Sequence, residues 1–286
     1  MTPDGHGIRN GMSVDVEEHF QVKAFADCIP RSTWNSAPSR VEDNVQRLLA
    51  LFAEHQVQAT FFTLSWIAER HPGLLRAIAA AGHEIASHGC EHIPVYEQTP
   101  AEFREDASRS KAVLEDIAGV RVSGYRAASF SIIPESAWAF EELERAGYQY
   151  SSSIVPVSHD IYGFPGAPRF RHQPTTAGQL TECPASTVNA AGRLWACGGG
   201  GFFRFFPYPL FRWAIRRVHA HDGQPHFFYM HPWEVDPDQP RVTGASARSR
   251  FRHYVNLDQT EPRLRRLLRD FSWDRYDRVL GIQPGA

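Results

Sequence analysis

Short apolar runs alternate with segments of helical period along most of this chain, and that alternation restricts it to α/β folds in which helices cover a parallel sheet. Residues 13–16 open as a strand that ends in acids. Ser39-Arg40-Val41-Glu42 reads as a capping box ahead of Val41, Val45, Leu48, Leu49 and Phe52 at helical spacing. Residues 58–64 form a buried strand. Pro72 then opens a helix that runs through Ala81 and stops at Gly82, and a strand follows around Ile85. Thr99-Pro100-Ala101-Glu102 is a second capping box, with proline at the first helical position and a helix end near Gly119. A strand over 120–125, a helix over 134–147, a strand over 148–152, a helix over 207–220 and an apolar strand over 226–230 continue the rhythm. No internal repeat is visible. A barrel is expected rather than an open doubly wound sheet, because no glycine-rich phosphate loop follows the first strand. Between 154 and 206, prolines, glycines and the run Gly198-Gly199-Gly200-Gly201 break the pattern, which predicts a long loop-rich insertion. With the tail after Trp233, it should wall the cleft.

Chemistry concentrates in His88-Gly89-Cys90-Glu91-His92 and in the acidic cluster Asp15-Val16-Glu17-Glu18. Two imidazoles four apart, placed on one face of a helical turn, can reach a single ion. A carboxylate from elsewhere would complete three protein ligands and leave a position for water, whose pKa a divalent metal lowers to near 7. An H-x3-H pair can arise by chance among 14 histidines. The short strand running from Gly82 into His88 argues against chance here, since it puts the pair at a strand's carboxyl end, where barrel active sites lie.

With 286 residues, 42% hydrophobic and 22% charged, the chain has enough apolar surface for one large domain and is neither disordered nor fibrous. Net charge is −2, and the arginines over 263–269 fit a solvated helix face, so nothing favours nucleic acid as a partner. Cys28, Cys90, Cys183 and Cys197 lack C-x-x-C spacing and are read as reduced thiols. Residues 1–12 have no apolar core of a signal peptide and no run of 18 apolar residues occurs, so a cytoplasmic protein without a transmembrane segment is expected.

Five motifs in order resemble the NodB-like polysaccharide deacetylases: Ser13-Val14-Asp15-Val16-Glu17, His88 to His92, Gly124-Tyr125-Arg126-Ala127-Ala128-Ser129, Gly147-Tyr148-Gln149-Tyr150, and Tyr229-Met230-His231. Ser158-His159-Asp160-Ile161-Tyr162-Gly163, the glycines from 198, the stretch from His231 to Pro240, and Arg252 to Leu257 resemble the subgroup found with bacterial exopolysaccharide and exosortase (PEP-CTERM) loci. The resemblance implies an irregular (β/α)7-type barrel over residues 12–272, with core motifs in 12–152, a loop-rich insertion over 153–206, and the last barrel elements with a C-terminal extension over 207–272. It also implies Asp15 as general base, His88 and His92 as metal ligands, Arg126 as the group holding the base, and His231 as general acid. These roles are chemically sound, since a neighbouring cation favours a carboxylate's charged form and an imidazole can protonate a departing amine.

Three departures from the family pattern matter. Val16 stands where an aspartate is usual, so Glu17, which shares a strand face with Asp15 if the extended geometry continues, becomes the third ligand, with the reverse assignment of Asp15 and Glu17 left open. Ala127 and Ala128 replace common prolines, though the backbone N–H of Ser129 can still serve an oxyanion. Ser151 replaces an acid, which leaves the group that orients His231 unidentified, Asp160 being one candidate. Taken singly, Arg126 fits a surface ion pair, His231 a core histidine and Asp160 a turn residue; their joint occurrence is what argues for a site. Trp233 suits stacking on a sugar ring. The implied function is removal of N-acetyl groups from N-acetylhexosamine units of a bacterial exopolysaccharide or its precursor. It would use a divalent metal, zinc, on a polysaccharide or oligosaccharide substrate, alongside exopolysaccharide biosynthesis machinery. A small-molecule cyclic amide or ureide hydrolase and a catalytically silent glycan-binding subunit are the alternatives.

Overall fold

The computed structural model describes residues 7–158, 163–176 and 178–282. Its strands are β1 (Arg9–Val16), β2 (Thr60–Thr63), β3 (Glu84–Ser87), β4 (Gly124–Tyr125), β5 (Tyr150–Ser151), β6 (Thr181–Glu182), β7 (Thr187–Ala190), β8 (Arg193–Ala196), β9 (Phe227–Met230) and β10 (Ser272–Asp274). The helices are α1 (Val41–Glu54), α2 (Ser65–Arg70), α3 (Pro72–Ala80), α4 (Pro100–Ala118), α5 (Ala139–Arg145), α6 (Gly200–Phe205), α7 (Tyr208–Arg217), α8 (Ala247–Tyr254), α9 (Thr260–Asp270) and α10 (Tyr276–Leu280). Strand order is β10-β1-β2-β3-β4-β5-β6, with β9 also on β1, and every pairing in this sheet is parallel. The result is a curled, irregular α/β half-barrel, the fold class that the alternation predicts.

β1 is the axis. Its residues 13–16 pair with β2, 11–14 with β9 and 9–11 with β10. It is buried from Asn10 onward, as a strand covered on both faces must be. Because the sheet is parallel, residues just past Val16, Ser87, Tyr125, Ser151 and Met230 all emerge at one edge. Asp15, Glu17, His88, His92, Arg126 and His231 are gathered there by topology.

The insertion over 153–206 is more ordered than a loop. β6 extends the main sheet, and β7 and β8 form an antiparallel hairpin. The hairpin returns to β9 through Gly198, whose carbonyl accepts from Tyr229 N at 2.8 Å. A Cβ at Gly198 would meet the Phe227 carbonyl oxygen and Ser186 N, both at 2.8 Å, so only glycine permits that approach.

Helix starts differ in an instructive way. The Thr99 box forms as predicted, with Thr99 Oγ1 accepting from Glu102 N and Glu102 accepting from Thr99 N. The Ser39 box does not form. Ser39 Oγ donates instead to the buried Glu18, whose carboxylate also accepts from Arg40 N (3.0 Å) and Val41 N (3.2 Å). A remote carboxylate therefore caps α1, where the exposed helix N–H groups favour negative charge. Glu18→Ala is expected to cost about 2 kcal/mol, within the range for a lost cap and unsatisfied buried donors. A urea midpoint equal to that of the unsubstituted protein would contradict it.

The predicted helix over 134–147 is interrupted: Pro134–Ser136 is a 3₁₀ turn and the helix proper is Ala139–Arg145.

Candidate functional site

The His88–His92 segment is not a helical turn. β3 ends at Ser87, Gly89 has φ +81° and His92 φ +56°, so the chain doubles back through two left-handed residues. That loop is pinned. Ser65 N and Trp66 N at the start of α2 donate to the carbonyls of Gly89 and Cys90, Cys90 N donates to Asp106, and Arg31 donates to the His92 carbonyl. The spacing brings the imidazoles together by a tight loop, with ring centroids 5.2 Å apart.

Glu17 joins them by a similar departure. Extended geometry stops at Val16, and Glu17 N donates back to the Asp15 carbonyl at 3.0 Å, a tight turn. Ligand atoms of Glu17, His88 and His92 lie within 4.8 Å of one another, and all three residues are buried. Glu17 Oε2 sits 2.9 Å from His92 Nε2, yet this buried oxygen has no hydrogen-bonding partner. His88 Nδ1 faces the Arg126 carbonyl at 2.8 Å, which leaves Nε2 to point elsewhere, the arrangement that fixes a ligating tautomer. Burial holds His88 down at about 4 and so neutral, as a metal ligand must be. Burial raises Glu17, but His92 and His231 more than offset it and leave it at about 2. A buried carboxylate oxygen that accepts no hydrogen bond, beside two imidazole nitrogens, is a donor set that fits a divalent cation of the zinc type. Glu17, rather than Asp15, is the carboxylate that clusters with the two imidazoles.

Asp15 is otherwise engaged. Arg126, fully buried, donates to Asp15 Oδ1 at 2.5 Å, to Ser13 Oγ, to the carbonyl and hydroxyl of Ser152 and to Tyr276 OH. These five bonds use every guanidinium N–H. Burial works against the Arg126 cation, and Asp15 and Tyr276 together more than restore it.

His231 follows β9 and aims Nε2 into the same space, 3.5 Å from Glu17 Oε1 and 4.0 Å from Asp15 Oδ2. Its orienting partner is Glu234, which the sequence reading missed: Glu234 Oε1 lies 2.9 Å from His231 Nδ1 and accepts from His231 N at 3.0 Å. Arg204 Nε donates to the other Glu234 oxygen at 2.6 Å. Burial raises Glu234, while Arg204 and His231 bring it down to about 2. Burial likewise lowers His231, but Glu17 and Glu234 carry it up to about 9. The i, i+3 spacing of His231 and Glu234 across Pro232 was the available signal, a capping box in which the carboxylate also reaches the ring.

A cavity of about 230 Å³ joins these groups; Asp15, Glu17, His88, His92, Ser129 and His231 all line it. Ser129 has a left-handed backbone, φ +54° and ψ +26°. Trp233 lines the cavity too, but it is 6% exposed, stacks on both His231 (4.8 Å) and His253 (4.0 Å), and donates to Glu17 Oε1 at 3.2 Å. It braces Glu17 and His231, and only that small margin is open to the cavity. Asp160 lies outside the described residues.

The curled parallel sheet thus carries a Glu-His-His cluster, an Asp–Arg pair and an oriented His at its carboxyl edge, where α/β barrels place their active sites. Residues 31–151 match the polysaccharide deacetylase family, and 152–281 match a domain of unknown function (DUF3473). Among curated proteins, the peptidoglycan deacetylase of Helicobacter pylori is 28% identical over 116 residues, 40% of this chain and 38% of that protein. The peptidoglycan-N-acetylglucosamine deacetylase of Bacillus cereus is 29% identical over 145 residues, 47% of this chain and 52% of that one. The chain thus spans about half or less of these relatives' length. A solved Mycobacterium smegmatis protein, classed among the polysaccharide deacetylases, covers 100% of this chain and 95% of its own at TM-score 0.61 and 20% identity, a likeness of fold. What is shown is therefore a match to the polysaccharide deacetylase family over residues 31–151, under half of the chain. Asp15 and Glu17 precede both matched stretches, whereas His231, Glu234 and Arg204 come from the stretch of unknown function.

Proposed function

We propose that the chain is a metal-dependent N-deacetylase that releases acetate from N-acetylhexosamine units of a bacterial exopolysaccharide or its precursor. The observation that carries this reading is the meeting of Glu17, His88 and His92 within 4.8 Å, beside the Asp15–Arg126 pair and His231. Glu17, His88 and His92 would hold the ion, with zinc preferred for its nitrogen and carboxylate donors. Such an ion, when bound, supplies a Lewis acid and makes water a nucleophile near neutral pH.

The chain's own residues divide the remaining work. Asp15, held against Arg126, accepts a proton from the attacking water. The Ser129 turn presents backbone to the developing oxyanion, where one well-placed donor can contribute roughly 2.7–4 kcal/mol. Glu234 accepts from His231 Nδ1, so Nε2 faces the cavity and its proton passes to the departing amine. The resemblance of the later motifs to the subgroup found with exopolysaccharide and exosortase loci is what supports a polymer made by such machinery, and a cytoplasmic site of action belongs to the same reading.

The test is acetate release from acetylated glucosamine oligomers by the purified chain, before and after chelation and zinc restoration. Release that is lost with chelator and regained with zinc is expected; turnover indifferent to chelator would contradict the proposal.

A further inference from the structure

We propose that Glu182, in the stretch of unknown function, is a positioning residue of this site: it locks the serine turn that aims Arg126 at Asp15. Only the activity readout rests on the deacetylase reading.

Glu182 is fully buried at the end of β6, opposite Ser151 of β5. Both strands stop there; Ser152 N still donates to the Tyr125 carbonyl at 2.9 Å, but the N–H groups of Ser153 and Ile154 that follow have left the strand ladder. Glu182 Oε1 accepts from both, at 2.9 and 3.2 Å. The turn so held touches the Arg126 segment at two consecutive levels. Ser152 offers its carbonyl to Arg126 Nε and its hydroxyl to Nη2, each at 3.0 Å. Ser153 Oγ accepts from Ala127 N at 2.9 Å. The Arg126 carbonyl in turn faces His88 Nδ1. Displacing the turn would therefore tilt the guanidinium that holds Asp15.

Burying a carboxyl group at such a point is costly. Burial pushes Glu182 up to about 7, opposed by hydrogen bonds from Ser151, Ser153 and Ile154. Oε1 remains an acceptor whether or not the group is ionised, so the lock does not depend on its charge. The main chain of a neighbouring strand would have satisfied the two N–H groups at less expense; what the carboxyl adds is a fixed geometry for the turn. Support of this kind around reacting groups is worth large factors in rate.

Glu182→Ala removes the acceptor, whereas Glu182→Gln keeps an amide oxygen for both N–H groups. Steady-state deacetylation by the zinc-loaded protein should show kcat lowered roughly 10- to 100-fold in Glu182→Ala, with KM and zinc affinity within about twofold of the unsubstituted protein. Glu182→Gln should recover most of kcat. Ile78→Ala, a core change in α3, gives a variant of comparable melting loss that should keep kcat. Glu182→Asp, which draws the acceptor back by one methylene, serves if the alanine variant does not fold. Unchanged kcat in Glu182→Ala, or no recovery with glutamine, overturns the proposal. An activity-free reading comes from the ¹⁵N signal of the Arg126 side-chain N–H, assigned through Arg126→Lys: its exchange with water should quicken about tenfold or more in Glu182→Ala. If the unsubstituted protein releases no acetate, the deacetylase reading fails alone, and the exchange rate still decides the role of Glu182.

Discussion

Replacing His88 by alanine is expected to remove divalent-ion binding and acetate release together. His88 is buried, held neutral at about 4, and tied through Nδ1 to the Arg126 carbonyl, so its free nitrogen has a defined direction. Losing a ligand should weaken metal affinity by more than the roughly 10–100-fold typical of losing an outer partner. Two readouts follow. In titration calorimetry the variant should show no tight zinc site. In thermal melting, a saturating ion stabilises the parent by about 4 kcal/mol at a thousandfold excess over its dissociation constant, and that gain should vanish in His88→Ala. A variant that still melts higher with zinc and still releases acetate would remove His88 from the metal site.

The second large effect is expected from Asp15→Asn. Arg126 is buried with all five N–H groups engaged, and Asp15 is its anionic partner among them. Taking away the anion leaves a buried cation uncompensated, a change that costs about 3–5 kcal/mol. It also removes the group proposed to take the water's proton, with a loss in kcat of roughly 10²–10⁴. Zinc affinity should remain close to the parent's, because Glu17, His88 and His92 are untouched. That combination separates base from ligand, the assignment that the acid-x-acid motif leaves open. The double variant Asp15→Asn with Arg126→Met should regain part of the stability and none of the activity. Loss of zinc binding in Asp15→Asn would make Asp15 the ligand and Glu17 the candidate base.

What could be read from residues alone followed how local the interaction is. The Thr99 box needs only Thr99 and Glu102, four residues that close on themselves, and it forms as written. The Ser39 box has the same letters but loses to Glu18, some twenty positions upstream, which no window around Ser39 contains. The His88–His92 spacing pointed to a shared ion, yet by way of a helix; the actual loop depends on Gly89 at positive φ and on carbonyls taken up by α2, a six-residue helix too short to register by periodicity. Strand β10, three residues long, carries no pattern of its own and exists because β1 offers it an edge. Glu234 was within reach of a local reading, but Arg204, which holds it, and Glu182 depend on the fold of the insertion, where alternation breaks down. Buried polar partners of this sort are recruited by tertiary proximity and leave no period in the sequence.

The most direct test is a crystal of the zinc-loaded chain measured on both sides of the zinc absorption edge. A single anomalous peak about 2.0–2.2 Å from a Glu17 oxygen and from one ring nitrogen each of His88 and His92 is the predicted result. A peak bound by Asp15 in place of Glu17, or no peak between the two imidazoles, would contradict the account.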